Sequence, residues 1–141
     1  MKLEITIEGI PLITHSINYT RNGKEYTPAS EIENERALRA AVISSLPYDF
    51  KILRGPLKIN LLRFVFPPNR GTKKNELETI NNEGLAAREG KPSLIECLKS
   101  IIKAMNGTVF VNDSRICSIE NFGKYSGLNP AIKIEIEEVK Q

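Results

Sequence analysis

The chain has 141 residues, 40% of them apolar, and a formal charge of +3 with a pI near 8.9. That suits one domain, residues 1–141, which buries roughly two-thirds of its unfolded surface and needs no metal or disulfide to fold; the mildly basic balance permits a phosphate-rich partner without requiring one. Cys97 and Cys117 stand far apart with no CxxC or Cys/His grouping, no stretch reaches membrane-spanning length, and "MKLEITIEGI" lacks the apolar core of a signal peptide, so the readings set aside are a zinc site, a disulfide framework and a membrane protein, and the expected address is the cytoplasm.

Leu3, Ile5 and Ile7 alternate with polar residues, the period of a half-buried strand, which Gly9 and Pro11 end. The Asn22-Gly23 pair predicts a turn between two short extended arms. Ser30 and Glu33 have the spacing of a capping box, and the helix they open carries Ile32, Leu38, Ala41, Val42 and Leu46 on one stripe before Pro47 closes it. "PLKINLLRFVFPP" reads as a strand bounded by prolines. From Pro67 to Pro92 no amphipathic period stands out, so 67–92 is expected to be a long, mobile loop with at most a short helical turn in "ELETINNEGLAARE". The second helix is the clearest element: Leu94, Ile95, Leu98, Ile101, Ile102 and Met105 fall at i, i+3, i+4 spacing, with Glu96, Lys99, Ser100 and Lys103 on the other side. "TVFVN", "RICSIENF" and "AIKIEIEEV" read as three closing strands. The expected fold class is α+β, a mixed sheet with two main helices packed on it.

Few residues offer chemistry. His15 is the single histidine and reads as a solvated loop residue; no Walker loop, Rossmann fingerprint or G-x-S-x-G is present. Arg21 and Lys24 lie among tyrosines in the hairpin, a mixture that suits nucleic acid as well as a plain solvated turn. Lys91 precedes the start of the second helix, where unpaired N–H groups attract phosphate. A short helix-turn-strand return gathers Glu96, Lys99 and Asp113; the plainer alternative is an i,i+3 ion pair on a surface helix with an aspartate in a turn.

The run "KPSLIECLKSIIKAMNGTVFVNDSRI" resembles the signature of the RusA-type Holliday junction resolvases, Pro-Asp-x-Asp-Asn-Leu-x-Lys, a helix ending Asp-Ala-Leu-Asn-Gly, and a strand ending Asp-Asp-x-Gln-Ile. Pro92, Lys99, Ala104, Asn106, Gly107, Asp113 and Ile116 match, with Met105 for Leu. "GIP…YTRNGKEYTP", "LRGPLKINLLRFVFPP" and "IKIEIEEV" extend the resemblance over nearly the whole chain. It implies a homodimer that binds four-way DNA junctions in recombination and repair and cuts them with Mg²⁺ held by converging carboxylates, a lysine stabilising the developing charge.

The departures fall on the metal ligands. Ser93 and Ile95 stand where the motif has two aspartates, Glu96 replaces its Asn, and Asn112 and Arg115 replace the Asp and Gln of the strand. Asp113 and Lys99 remain; Glu96 is a substitute ligand turned roughly 100° from position 95. Ile95 is expected to join the apolar stripe. The resemblance therefore implies catalytic residues Asp113, Lys99 and Glu96, metal ligands Asp113 and Glu96, and DNA contacts from Arg21, Lys24, Lys91, Lys103 and Arg115. The first reading is a junction-binding protein with impaired cleavage. The alternatives are an active Mg²⁺-dependent junction endonuclease with rearranged carboxylates, or a non-catalytic protein-binding module on the same scaffold.

Overall fold

The computed structural model describes residues 2–14, 18–19, 22–23, 25–26, 29–69 and 73–139. Its centre is a ten-residue strand, β4 (Leu57–Phe66), set between Pro56 and Pro67, which cannot continue a ladder. Leu57, Ile59, Leu62 and Phe64 on β4 are wholly buried. One edge of β4 pairs antiparallel with β8 (Ala131–Glu138), which pairs antiparallel with β1 (Lys2–Glu8). The other edge serves two strands in succession, both parallel: β6 (Ile116–Ile119) at Leu57–Ile59, then β7 (Phe122–Gly127) at Leu62–Phe66. A short β5 (Leu85–Ala87) closes the far edge on β7. The result is a mixed six-stranded sheet with three helices, the α+β class expected.

Helices α1 (Ala29–Ser45) and α3 (Leu94–Met105) cover one face. Leu38 and Val42 of α1 and Cys97, Ile101, Ala104 and Met105 of α3 join Leu3, Ile5, Ile132, Ile134 and Ile136 in one core. The two arms β2 (Asn18–Tyr19) and β3 (Glu25–Tyr26) pair antiparallel around Asn22-Gly23, as the turn signal predicts.

Several elements differ from the sequence reading, each for an identifiable reason. The 67–92 stretch carries α2 (Lys74–Glu83) as well as β5, so the fold has three helices rather than two. Helix α2 buries a single residue, Ile80, and its N-cap Lys73 makes no side-chain cap, so neither a stripe nor a start signal marks it. Its end is marked: Gly84, at φ 86°, donates its N–H to the Ile80 carbonyl. Helix α1 starts at Ala29, which puts Ser30 inside the first turn, and only Leu38 and Val42 of its expected stripe are buried. "TVFVN" is mostly a turn off α3, with strand-like pairing limited to two isolated bridges, Leu53–Phe110 and Asn106–Phe110. "RICSIENF" breaks at Asn121, which takes φ 51° and donates its side-chain amide to the Asn60 carbonyl where the β4 register slips. Beyond that break lies β7, a strand not anticipated.

The buried seam of α3 is also rotated from the expected stripe. Cys97, Ser100, Ile101, Ala104 and Met105 face inward, and three of these are small, which lets the helix approach the layer beneath closely. Ser100 is buried yet satisfied, its Oγ accepting the Thr14 N–H at 3.0 Å. Ile95, expected in the core, is 57% exposed. Accordingly, Ile101→Ala should cost about 2–5 kcal/mol of unfolding free energy in a urea titration. Ile95→Ala should change it by less than about 0.5 kcal/mol.

Candidate functional site

The amino end of α3 is where the sequence concentrates its signals, and the local hydrogen bonding there is fully specified. Ser93 is the N-cap, with extended backbone angles. Its Oγ accepts the Glu96 N–H at 3.1 Å, and the Glu96 carboxylate accepts the Ser93 N–H at 3.0 Å, a reciprocal capping box. The segment entering the helix is tied to the sheet from below. Lys124 of β7 donates its ammonium to the carbonyls of Gly90 and, at 2.8 Å, Pro92.

A second cation lies beside it. Arg88, just past β5, donates from Nη1 to the Pro67 carbonyl at 2.8 Å and Ser126 Oγ at 3.1 Å, and from Nη2 to Asn69 Oδ1 at 3.1 Å. Its guanidinium stacks on Phe66 with 4.9 Å to the ring centroid. Both cations act on the buried Cys97. Burial pushes its thiol up to about 11, and the nearby charges of Lys124 and, more weakly, Arg88 pull against that rise while Glu96 adds to it. The field beneath the start of α3 therefore has two built-in positive contributors.

The residues singled out from sequence are not gathered in one place. Glu96 is half-buried and engaged in the capping box, while Lys99 is exposed one turn further on. Lys103 is paired with Glu35 of α1 at 2.8 Å and joins the two helices. Lys91 is exposed before α3. Asp113 opens a 3-10 turn, Asp113–Arg115, capped by Asn112 Oδ1 accepting the Ser114 N–H at 2.9 Å, and both Asp113 and Arg115 are exposed. Arg21 and Lys24 lie outside the described residues, as does His15. Ladder positions give the spacing: Lys124, under the amino end of α3, pairs with Phe64, whereas Ile116, three residues after Asp113, pairs with Leu57. Seven residues of β4 amount to about 23 Å of strand. Asp113 thus sits toward one end of β4 and the capping box toward the other.

These residues do not fit a magnesium cage. Ile95 has no donor atom, Ser93 is neutral and occupied as a cap, Glu96 is held by the Ser93 N–H, and Asp113 is remote from them. Among the described residues no three His, Cys, Asp or Glu side chains come together as a metal site requires.

Lys124 and Arg88 were missed in the sequence because the segments holding them were not read as strands. The signal available was the period-two placement of Phe122, Lys124 and Ser126, which puts the last two on the face that meets Arg88 and the α3 entry.

A model of the family described as Endodeoxyribonuclease RusA matches residues 9–137 of the 141. No curated protein matches the chain significantly.

Two outcomes follow from this geometry. Ser93→Ala should lower stability by about 1 kcal/mol through loss of the cap, and Ser93→Asp should hold it to within a few tenths, both read by chemical denaturation. For Cys97 the folded thiol titrates above its ordinary value of 9.0, at about 11, so the unfolded chain loses its proton first and ionisation favours unfolding. Stability of the native protein, relative to Cys97→Ala, should be constant below pH 9 and fall as the pH rises toward 11.

Proposed function

Because the chain belongs to the Endodeoxyribonuclease RusA family, we propose that it binds four-way DNA junctions on that scaffold and that its own residues cleave them weakly or not at all. The observation that carries the second half is the Ser93–Glu96 capping box. Of the motif's two aspartate positions, one is Ser93, spent with Glu96 on starting a helix, and the other is the exposed Ile95. On this reading the protein acts in recombination or repair, in the cytoplasm, as a homodimer. No described helix is long and apolar enough to cross a membrane.

Exposed cations support the binding half. Lys91, Lys99 and Arg115 present charge to solvent, and Lys103 is two-thirds exposed despite its pairing with Glu35. Arg21 and Lys24, which lie outside the described residues, are assigned to DNA contact on the same reading. Such side chains neutralise phosphates and set register on a duplex without reading bases. Asp113 is the retained carboxylate of the family's strand motif, and Lys99 the retained lysine. In the metal-dependent chemistry of the family, a divalent ion would activate water and stabilise the leaving oxygen; this chain's described donor set gives such an ion no cradle.

Gel-shift titration at moderate salt should show tighter binding to a four-way junction than to linear duplex of equal length, unchanged by chelator. Cleavage assays with Mg²⁺ should show little turnover from the native chain. The double variant Ser93→Asp, Ile95→Asp should raise that turnover by at least tenfold if restored anions are what the site lacks. Metal-dependent cutting by the native chain that Asp113→Asn abolishes would instead establish the rearranged nuclease. Absent DNA affinity, with protein partners that survive nuclease treatment, would establish the binding module.

A further inference from the structure

One cleft among the described residues lies between α2, β5 and the segment that leaves β4. Its volume is about 570 Å³, and its walls include Asn69, Lys73, Asn75, Arg88, Glu89 and Ser126. That volume is within the range of small-ligand sites and large enough for one nucleotide.

Arg88 is the unusual member. Three hydrogen bonds and the Phe66 ring fix its guanidinium, and Ser126, one of those three acceptors, is 1% exposed. The side chain is therefore held rigidly before any ligand arrives. Its acceptors are all neutral, and among the described residues no carboxylate pairs with it. Of the five N–H groups a guanidinium carries, three are used. The Nε–H is buried and has no acceptor in the protein. In a guanidinium, Nε and Nη2 share one edge, the planar two-donor edge that matches a phosphate or carboxylate. A buried N–H left unpaired is destabilising, a penalty that an incoming anion would relieve.

The rest of the cleft agrees in sign and is limited in strength. Lys73 contributes a second cation from the N-cap of α2, and the amino end of that ten-residue helix, with no side-chain cap, lines the same wall. Glu76 and Glu89 offset these charges without pairing with Arg88. A balanced cleft with one fixed, forked cation does not attract polyanions at large; it selects a single group placed to meet the fork.

We infer that this cleft receives a phosphodiester of a DNA strand at the Nε/Nη2 edge of Arg88, assisted by Lys73. The inference rests on DNA being the partner, as proposed above, and adds where one strand is gripped. Arg88 donates its backbone N–H to the Lys124 carbonyl at 3.3 Å, and Lys124 holds the α3 entry through Pro92, so a strand held here runs past the amino end of α3. Nε is buried, so an entering oxygen meets it only as the wall moves locally.

The test is to follow the Arg88 Nε–H resonance in labelled protein titrated separately with a four-way junction, linear duplex and a ten-nucleotide thymidine strand. Arg88→Lys and Lys73→Gln variants run alongside, and thermal unfolding confirms that each retains its fold. The expected result is a saturable shift of Nε–H with the junction and the single strand. Affinity should fall about tenfold in Arg88→Lys, which keeps the charge and loses the fork. For Lys73→Gln, which is exposed and outside the Arg88 bonds, the slope of log affinity against log salt should drop by about one. Junction binding seen at other resonances, with Nε–H unmoved and both variants native-like, overturns this inference and leaves the proposed function standing. A shift with the single strand but no preference for the junction supports the cleft and removes junction recognition. Silence with every DNA overturns both.

Discussion

A ten-residue strand that is paired along both edges and wholly buried at four positions sets the constraints on everything around it. Every other large element is placed by reference to β4: β8 and then β1 on one side, β6, β7 and β5 on the other, α1 and α3 above. Its carbonyl and N–H groups have no water to turn to, so each must find a partner in the ladder. Where the partner changes from β6 to β7, the backbone answers with a left-handed asparagine whose side chain repairs the gap at Asn60. That junction is a local solution to a global requirement.

The amino end of α3 shows a different competition. The Glu96 carboxylate is turned back toward the cap, where Oε1 accepts the Ser93 N–H. Serine starts a helix as well as aspartate does, so Ser93 caps α3 without bringing an anion to the position. Below it, Lys124 and Arg88 bring positive charge to the same region. An anion-rich metal site and a cation-supported helix start are opposite electrostatic designs, and this chain has built the second on a scaffold whose family is defined by nuclease activity.

What could be read from the sequence divides along how much each element buries. β1, β4 and β8 alternate or are unbroken because the sheet demands it, and they were legible. So was α3, because its apolar content is high, although its rotation was not: Leu, Ile and Met dominate the count, whereas small Cys97, Ser100 and Ala104 hold the centre of the seam. Helix α2, with one buried residue, and β5, with three residues, leave no periodic trace. At the site, the resemblance directed attention to the amino end of α3, where the structure shows the capping box. The commitment of Glu96 to the cap was implicit in the Ser93-to-Glu96 spacing, yet the separation of Asp113 needed the β4 registers, which no local pattern encodes.

The pairing of β1 with β8 joins Lys2 to Glu137, nearly the full length of the chain. Closing a loop of that size before any reward is gained makes this a topology of high contact order, which folds slowly. During synthesis, therefore, the first strand must wait for the last, with Leu3 and Ile5 left uncovered in the interval. The alternating charges of Lys2, Glu4 and Glu8 on the same strand give that waiting segment its protection against sticking to its neighbours.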